Sequence, residues 1–180
     1  MMRWAALLRA VNVGGTGRLP MAELKALVEA EGFGNVRTLL ASGNVVFEAD
    51  EIDPAALAAQ LEEATRRRGL TTDYLLRTAA DLHREMAANP FPVAAAERPE
   101  RLLLTFLREP LGQEAFARLQ ATHDGPEALH ATDRVLYVDY LDRETMRASR
   151  PPQAMRNARF PAVATARNWN TVTKLRALLA

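Results

Sequence analysis

The sequence predicts an α+β protein built from two ferredoxin-like βαββαβ units with antiparallel sheets, together with a connecting helix and a C-terminal helix. Two observations predict this fold. The same order of strand-like and helix-like segments occurs twice in 180 residues, and in each half a short hairpin joins the two middle strands. A hairpin makes its strands antiparallel, and right-handed crossovers place both helices of a unit on one sheet face. We expect the first unit at residues 1–90 and the second at 91–180.

In the first half, the elements are predicted from the pattern of apolar residues and from the positions of proline, capping and turn residues. Pro20 opens a helix with an apolar stripe at helical spacing, and Asp53 caps a second helix whose first turn holds Pro54. Ser42-Gly43-Asn44 is typical of a hairpin turn. The predicted strands are residues 3–11, 36–41, 45–48 and 74–77.

The second half repeats this order after a helix at 78–89, which Pro90 ends, and a linker-like stretch at 93–100. A hairpin turns at residues 132–134, and a helix begins at Ser149 or Arg150 with Pro151 in its first turn. The predicted strands are residues 101–107, 128–131, 135–140 and 162–166, and the predicted helices are residues 112–122, 151–159 and 168–179.

Composition excludes several classes of function. The chain has no cysteine, which excludes disulfides, thiolate catalysis and zinc–thiolate sites. The apolar runs are too short for a signal peptide or a membrane span, so we expect a cytoplasmic protein. The net charge is +1, which does not favour bulk attraction to nucleic acid. Of 23 basic residues only Lys25 and Lys174 are lysine.

Five segments closely resemble a bacterial family catalogued as domain of unknown function 1697. The resemblance extends over nearly the whole chain, and it implies two ferredoxin-like α+β subdomains without an assigned activity. Two departures are visible. The first basic residue after Gly14-Gly15 is Arg18, and Ser149-Arg150 stands where the family has a glycine-containing turn ending in Ser-Lys. The segments are Ala6–Gly15, Pro20–Leu24, Ser42–Phe47, Asn89–Pro92 and Thr165–Leu175.

The start of the last helix is the densest polar stretch. Asn168 is placed to cap this helix by accepting the Thr171 N–H. Asn170 and Lys174 are four residues apart and therefore share a face beside a positively polarised helix terminus. An amide and a cation at this position suit an oxyanion, whereas the alternative is a well-capped helix with solvated polar residues.

The remaining polar positions join the same hypothesis. The Gly-rich loop from Asn12 to Arg18 can present N–H groups to a phosphate, although it matches no nucleotide-binding motif, and it is otherwise a turn with positive φ. We hypothesise one anion site near the junction of the two units. Its residues are Arg9, Asn12, Ser42, Asn44, Ser149, Arg150, Arg167, Asn168, Asn170 and Lys174.

The functional expectation is a small-molecule or anion-binding protein for phosphate or carboxylate, with no cofactor. An enzyme acting on a phosphorylated or carboxylated metabolite is the alternative, and an RNA-binding module is a weaker one, because aromatic residues make up only 6% of the chain. His83, His123 and His130 lack metal-ligand spacing. His123-Asp124 has the order of a base and its orienting group but comes without a nucleophile motif, so we expect surface histidines and no metal.

Overall fold

A computed structural model of the chain describes residues 1–15, 17–149 and 151–180, with the side chains of all of these except Pro151 and Pro152. The chain divides into two compact units. Unit 1 contains Met1–Arg84 and Lys174–Ala180, and unit 2 contains Glu85–Thr173. Each unit holds a four-stranded antiparallel sheet with the first strand of the unit in the interior. The predicted pair of ferredoxin-like units is confirmed.

The sheet of unit 1 has the order β2-β3-β1-β4, and α1 and α2 pack on one of its faces. The leucines of both helices share a buried core with Trp4, Ala6 and Leu8 of the first strand. The side chain of Asp53 accepts the Ala56 N–H at 3.0 Å, as predicted for a cap. The elements are β1 (Met2–Leu8), α1 (Met21–Ala30), β2 (Gly34–Thr38), β3 (Asn44–Ala49), α2 (Pro54–Arg66), β4 (Tyr74–Thr78) and α3 (Ala79–Ala87).

The sheet of unit 2 has the equivalent order β6-β7-β5-β8. Its helix-covered face packs against α5 and α7 through Leu119 and Met155. The elements that follow α3 are α4 (Pro92–Glu97), β5 (Leu102–Leu107), α5 (Gln113–Thr122), β6 (Ala128–Ala131), β7 (Val135–Asp139), α6 (Arg143–Ala148), α7 (Pro151–Asn157), β8 (Ala164–Asn168) and α8 (Trp169–Leu179).

Some sequence predictions need correction. Residues 93–100 were expected to be a linker, but α4 occupies most of this stretch, because Pro92 stands in the first turn of a helix, where proline is tolerated, and alanines follow. Strand β1 ends at Leu8 and not at residue 11, because Ala10 and Asn12 adopt positive φ angles of 53° and 55°. Helix α6 has no counterpart among the predicted elements.

The helix predicted after Ser149 forms as α7, but Ser149 itself is the residue that ends α6. Arg150, the other predicted first residue, lies outside the described residues. Asp142 caps α6 by accepting the Thr145 N–H at 2.7 Å. Two short helices therefore stand in unit 2 where α2 stands in unit 1.

The second face of each sheet is buried as well. Ala5 and Leu7 in unit 1 and Leu104 and Phe106 in unit 2 are fully inaccessible. Among the described residues, no helix combines the length and the apolar character needed to cross a membrane.

Candidate functional site

Asn12 holds together the loops at one end of the unit 1 sheet. Its side-chain amide donates to the carbonyl oxygens of Leu19 at 2.7 Å and Ala41 at 2.9 Å, and its Oδ1 accepts the Leu19 N–H at 2.8 Å. The positive φ of Asn12 suits asparagine better than most residues. These bonds give the predicted ligand-binding residue a structural role that joins the β1–α1 loop to the β2–β3 turn.

The β2–β3 turn is fixed by its own hydrogen bonds and by close packing. The buried Asn44 side chain donates to Leu39 O at 2.7 Å and to Ser42 Oγ at 3.1 Å. Gly43 has φ +83°, and a Cβ there would lie 2.5 Å from Val11 Cγ2 and 2.9 Å from Leu8 Cβ. Ser42 and Asn44 thus serve the turn, and glycine is required between them.

Arg9 lies at the same end of the sheet and is half exposed. Its guanidinium donates to Asp73 at 3.0 Å, and the Thr72 hydroxyl donates to its carbonyl oxygen at 2.7 Å. The structure therefore brings Arg9, Asn12, Ser42 and Asn44 of the predicted set to one end of unit 1. We call these loops, residues 9–15, 17–18 and 39–44, the unit 1 loop end.

The start of α8 has the predicted cap. Thr171 donates both its N–H and its hydroxyl to Asn168 Oδ1, each at 3.0 Å. Asn170 and Lys174 are exposed, as expected for residues that share the outer face of the helix. The division between the units falls between Thr173 and Lys174, so a site shared by Lys174, Arg167 and Arg9 stays a prediction.

Each unit has a buried arginine one residue before the end of its fourth strand, and a helix follows that strand at once. Arg77 in β4 is 2% exposed and Arg167 in β8 is 6% exposed. Arg77 donates to Leu76 O, and Arg167 donates to Thr165 Oγ1 and Ala166 O at 2.8 Å. Burial lowers the pKa of Arg167 to about 10, which leaves the guanidinium charged at neutral pH.

Unit 2 contains a cavity of about 620 Å³, which we call the unit 2 cavity. It lies on the helix-covered side of the sheet, among α5, the 123–127 loop, strands β6 and β7, α6 and α7. One long helix covers this position in unit 1, whereas the break at Ser149 divides the cover in unit 2. The apolar wall of the cavity includes Leu119, Leu129, Leu136 and Met155.

A polar chain of three side chains reaches the wall of this cavity. The Ser149 hydroxyl donates to Glu127 Oε1 at 3.0 Å, and Tyr140 Oη lies 3.5 Å from Ser149 Oγ. Burial raises the pKa of the Tyr140 hydroxyl above its ordinary value. His123 Nε2 lies 3.1 Å from the carbonyl oxygen of Glu127 and 3.9 Å from Oε1.

Gly125 makes room for the Glu127 carboxylate. A Cβ at position 125 would lie 2.5 Å from Glu127 Oε2 and 2.9 Å from its Cδ. The Glu127 side chain is 9% exposed, so its charge is largely withdrawn from solvent. Gly125 therefore makes room for one nearly buried carboxylate at the cavity wall, Ser149 bonds to it, and His123 lies beside it.

Sequence reasoning found only part of this cluster. It selected Ser149 for an anion site and paired His123 with Asp124, but Ser149 and the histidine both meet Glu127 instead. Ser149 and Glu127 are 22 residues apart, and only the fold brings them together. The one local signal is the spacing of four between His123 and Glu127 around Gly125-Pro126, which is typical of a tight turn. Within the described ranges, no group of three or more acidic or histidine side chains is arranged to hold a metal ion.

Comparison with known proteins defines the class of protein to which this chain belongs. The family described as protein of unknown function (DUF1697) matches residues 1–137, and the chain belongs to this family. A structural search finds similarity to the conserved bacterial protein SP0830 from Streptococcus pneumoniae, with 22% sequence identity, a TM-score of 0.75, and 99% of each chain covered. At that identity the likeness shows the fold alone. No curated protein matches the chain.

Proposed function

We propose that this protein binds a small organic molecule in the unit 2 cavity, with the Glu127–Ser149 pair as its polar anchor. The observation that carries the proposal is a nearly buried, serine-bonded carboxylate on the wall of a 620 Å³ cavity. Binding pockets for small molecules have volumes of about 300–1,000 Å³ and combine apolar walls with a few placed polar groups. The unit 2 cavity has this size and this composition.

The order of the hydrogen-bonded side chains at the cavity wall supports ligand binding more than hydrolysis. In hydrolytic triads a histidine lies between the serine and the carboxylate and takes the serine proton. Here the Ser149 hydroxyl donates directly to Glu127. The part of the lining that the structure describes also contains no arginine or lysine for a phosphoryl group. An enzyme acting on a phosphorylated metabolite is therefore not favoured at this cavity.

The test is a screen of a chemically diverse fragment library by ¹H–¹⁵N NMR. Fragments that bind are expected to shift the amides of residues 123–125, 127–129, 145–149 and 153–155. Ala148→Phe places a large side chain at the cavity wall and should abolish these shifts. Ala121→Phe is the matched control, because Ala121 is exposed on α5 and does not line the cavity. Fragments that shift amides only outside these segments, or that bind Ala148→Phe unchanged, would contradict the proposal.

An anion site at the unit 1 loop end is a second candidate. The favouring observation is the backbone: Ala10, Asn12, Gly14 and Gly15 all have positive φ within six residues. Strained or left-handed backbone concentrates at functional sites, and successive N–H groups in such turns can face an anion. Titration with inorganic phosphate, followed through the amides of residues 9–15, tests this candidate. If Arg9→Gln leaves the phosphate-induced amide shifts unchanged, Arg9 is not part of this candidate site.

A cytoplasmic location remains part of the proposal. Fractionation of cells that express the natural protein tests it, with the expected signal in the cytosolic fraction. Recovery with the membranes would contradict it.

A further inference from the structure

The described side chains that line the unit 2 cavity carry charge of one sign. Asp124, Glu127 and Glu144 contribute carboxylates, and no lysine or arginine is among the described lining residues. A cleft lined by one sign of charge over low-dielectric walls attracts the opposite charge. The electrostatic character of this cavity therefore differs from that of the anion site expected from the sequence.

Glu127 has capacity for a further donor. An ionised carboxylate accepts about four hydrogen bonds, whereas Ser149 provides the one hydrogen bond to this carboxylate from the described residues, to Oε1. The side chain is 91% buried, since 9% remains exposed. A withdrawn charge is stabilised by an opposite charge and by hydrogen bonds to its remaining lone pairs. Oε2 is the atom available for such a partner.

The apolar side chains that line the cavity indicate the chemistry of the remaining part of the ligand. Leu129 and Leu136 come from the sheet, Leu119 from α5 and Met155 from α7, and all four face the cavity. Apolar area removed from water contributes about 25 cal/mol per Å², so a hydrocarbon body gains affinity here. Methionine adapts readily to ligands of different shape.

We infer that the unit 2 cavity takes an amphiphilic organic cation, a primary amine or guanidinium carried on an apolar body. This inference rests on the proposed function and names its ligand class. The cationic head donates to Glu127 Oε2, and the apolar body packs on the leucine and methionine side chains. Glu144 and Asp124, both exposed, lie at the cavity margin and add to the attraction.

The experiment uses three probes with the same 4-phenylbutyl body: 4-phenylbutylamine, 4-phenylbutan-1-ol and 5-phenylpentanoate. Dissociation constants for the full chain are measured by NMR titration at low salt, where screening is weak. We expect the amine to bind at least tenfold more tightly than the carboxylate, with the alcohol between them. Equal affinities, or tighter binding of the carboxylate, would overturn the assignment of a cationic ligand.

Glu127→Gln tests the contact itself, because the amide keeps the shape and can still accept the Ser149 hydroxyl. We expect this change to weaken binding of the amine about tenfold and binding of the alcohol less than twofold, since only the amine loses a charge partner. Glu114→Gln is the matched control, because Glu114 is 93% exposed on α5 and does not line the cavity. Loss of amine and alcohol affinity by the same factor in Glu127→Gln would show that Glu127 is structural.

The outcomes separate this inference from the function on which it rests. If library fragments occupy the cavity but the amine has no advantage, the ligand class is wrong and the binding function stands. If neither the library nor the three probes shift cavity amides, both are wrong.

Discussion

Units 1 and 2 share one topology but differ in the cover of a sheet face. In unit 1, α2 is a single helix of 13 residues, and its Leu57 and Leu61 fill the space against the sheet. In unit 2, the equivalent crossover consists of α6 with six residues and α7 with seven. The broken helix of unit 2 therefore accompanies a cavity in place of a filled core, while the strand order stays the same.

The break has a local chemical cause. Both crossovers begin with a capping aspartate, Asp53 in unit 1 and Asp142 in unit 2. In unit 2, Pro151 and Pro152 cannot continue the preceding helix, because proline lacks an N–H and its ring clashes with the previous turn. A new helix starts at Pro151, and Ser149 is left at the interruption with its hydroxyl directed to Glu127.

The largest expected effect is a loss of stability, and it compares the helix cover of unit 1 with that of unit 2. Leu61→Ala should lower the free energy of unfolding by about 2–5 kcal/mol, because it empties space in a fully buried core. Met155→Ala should lower it less, because a side chain beside a cavity has fewer neighbours to lose. Urea unfolding measures both, and a larger loss for Met155→Ala would contradict the distinction between filled and open cores.

The second prediction concerns a feature that the units share, a buried tyrosine. Burial raises the pKa of Tyr74 and of Tyr137 to about 12. An unfolded tyrosine titrates near pH ~10, so between pH ~10 and ~12 the unfolded state has lost a proton that the folded state keeps. The contribution of each tyrosine to the free energy of unfolding is therefore fully present below pH ~10 and is lost as the pH rises towards 12. For Tyr74 this loss is about 2–3 kcal/mol. Urea unfolding at several alkaline pH values should show this loss, and Tyr74→Phe should reduce it. Unchanged stability up to pH 12 would contradict it.

The third prediction compares two glycines. Gly43→Ala should destabilise unit 1 by about 1–3 kcal/mol, because alanine there adopts a left-handed backbone and meets Leu8 and Val11. Gly125→Ala meets only the Glu127 side chain, which can move. The Gly125→Ala change should leave thermal stability nearly unchanged and should weaken the binding of 4-phenylbutylamine. A destabilisation of the same size at both positions would show that Gly125 is also a backbone requirement.

Local chemistry predicted much of the fold and little of the cavity. The Asp53 cap, the Gly43 turn and the Asn168 cap are decided by residues within three or four positions, and all three form as predicted. The bond between Glu127 and Ser149 depends on how α6 and α7 meet the 123–127 loop. That arrangement follows from packing, and spacing in the sequence does not encode it.

The anion hypothesis shows the same limit. Asn12 and Asn44 are polar residues in loops, and their type alone suits a ligand as well as a turn. The structure shows them bonded to backbone groups of Leu19, Ala41 and Leu39, which a sequence cannot reveal. Residue type thus indicated where polar groups concentrate, whereas their partners depended on the fold.

The smallest expected effect concerns Lys174. The residue is exposed, so Lys174→Ala should change the unliganded free energy of unfolding by less than about 0.5 kcal/mol. If the predicted anion site exists, phosphate at about 100 times its Kd stabilises the natural protein by roughly 2.7 kcal/mol, and the variant loses this gain. Thermal unfolding with and without phosphate measures both quantities. An equal phosphate effect in Lys174→Ala would exclude Lys174 from the site.

An amide map of the full chain with 4-phenylbutylamine tests directly whether the broken helix of unit 2 has created a ligand site. If it has, the perturbed amides belong to residues 123–125, 127–129, 145–149 and 153–155. The residues of the unit 1 loop end, 9–15, 17–18 and 39–44, should remain unshifted in the same spectra. Shifts confined to the unit 1 loop end would contradict the account.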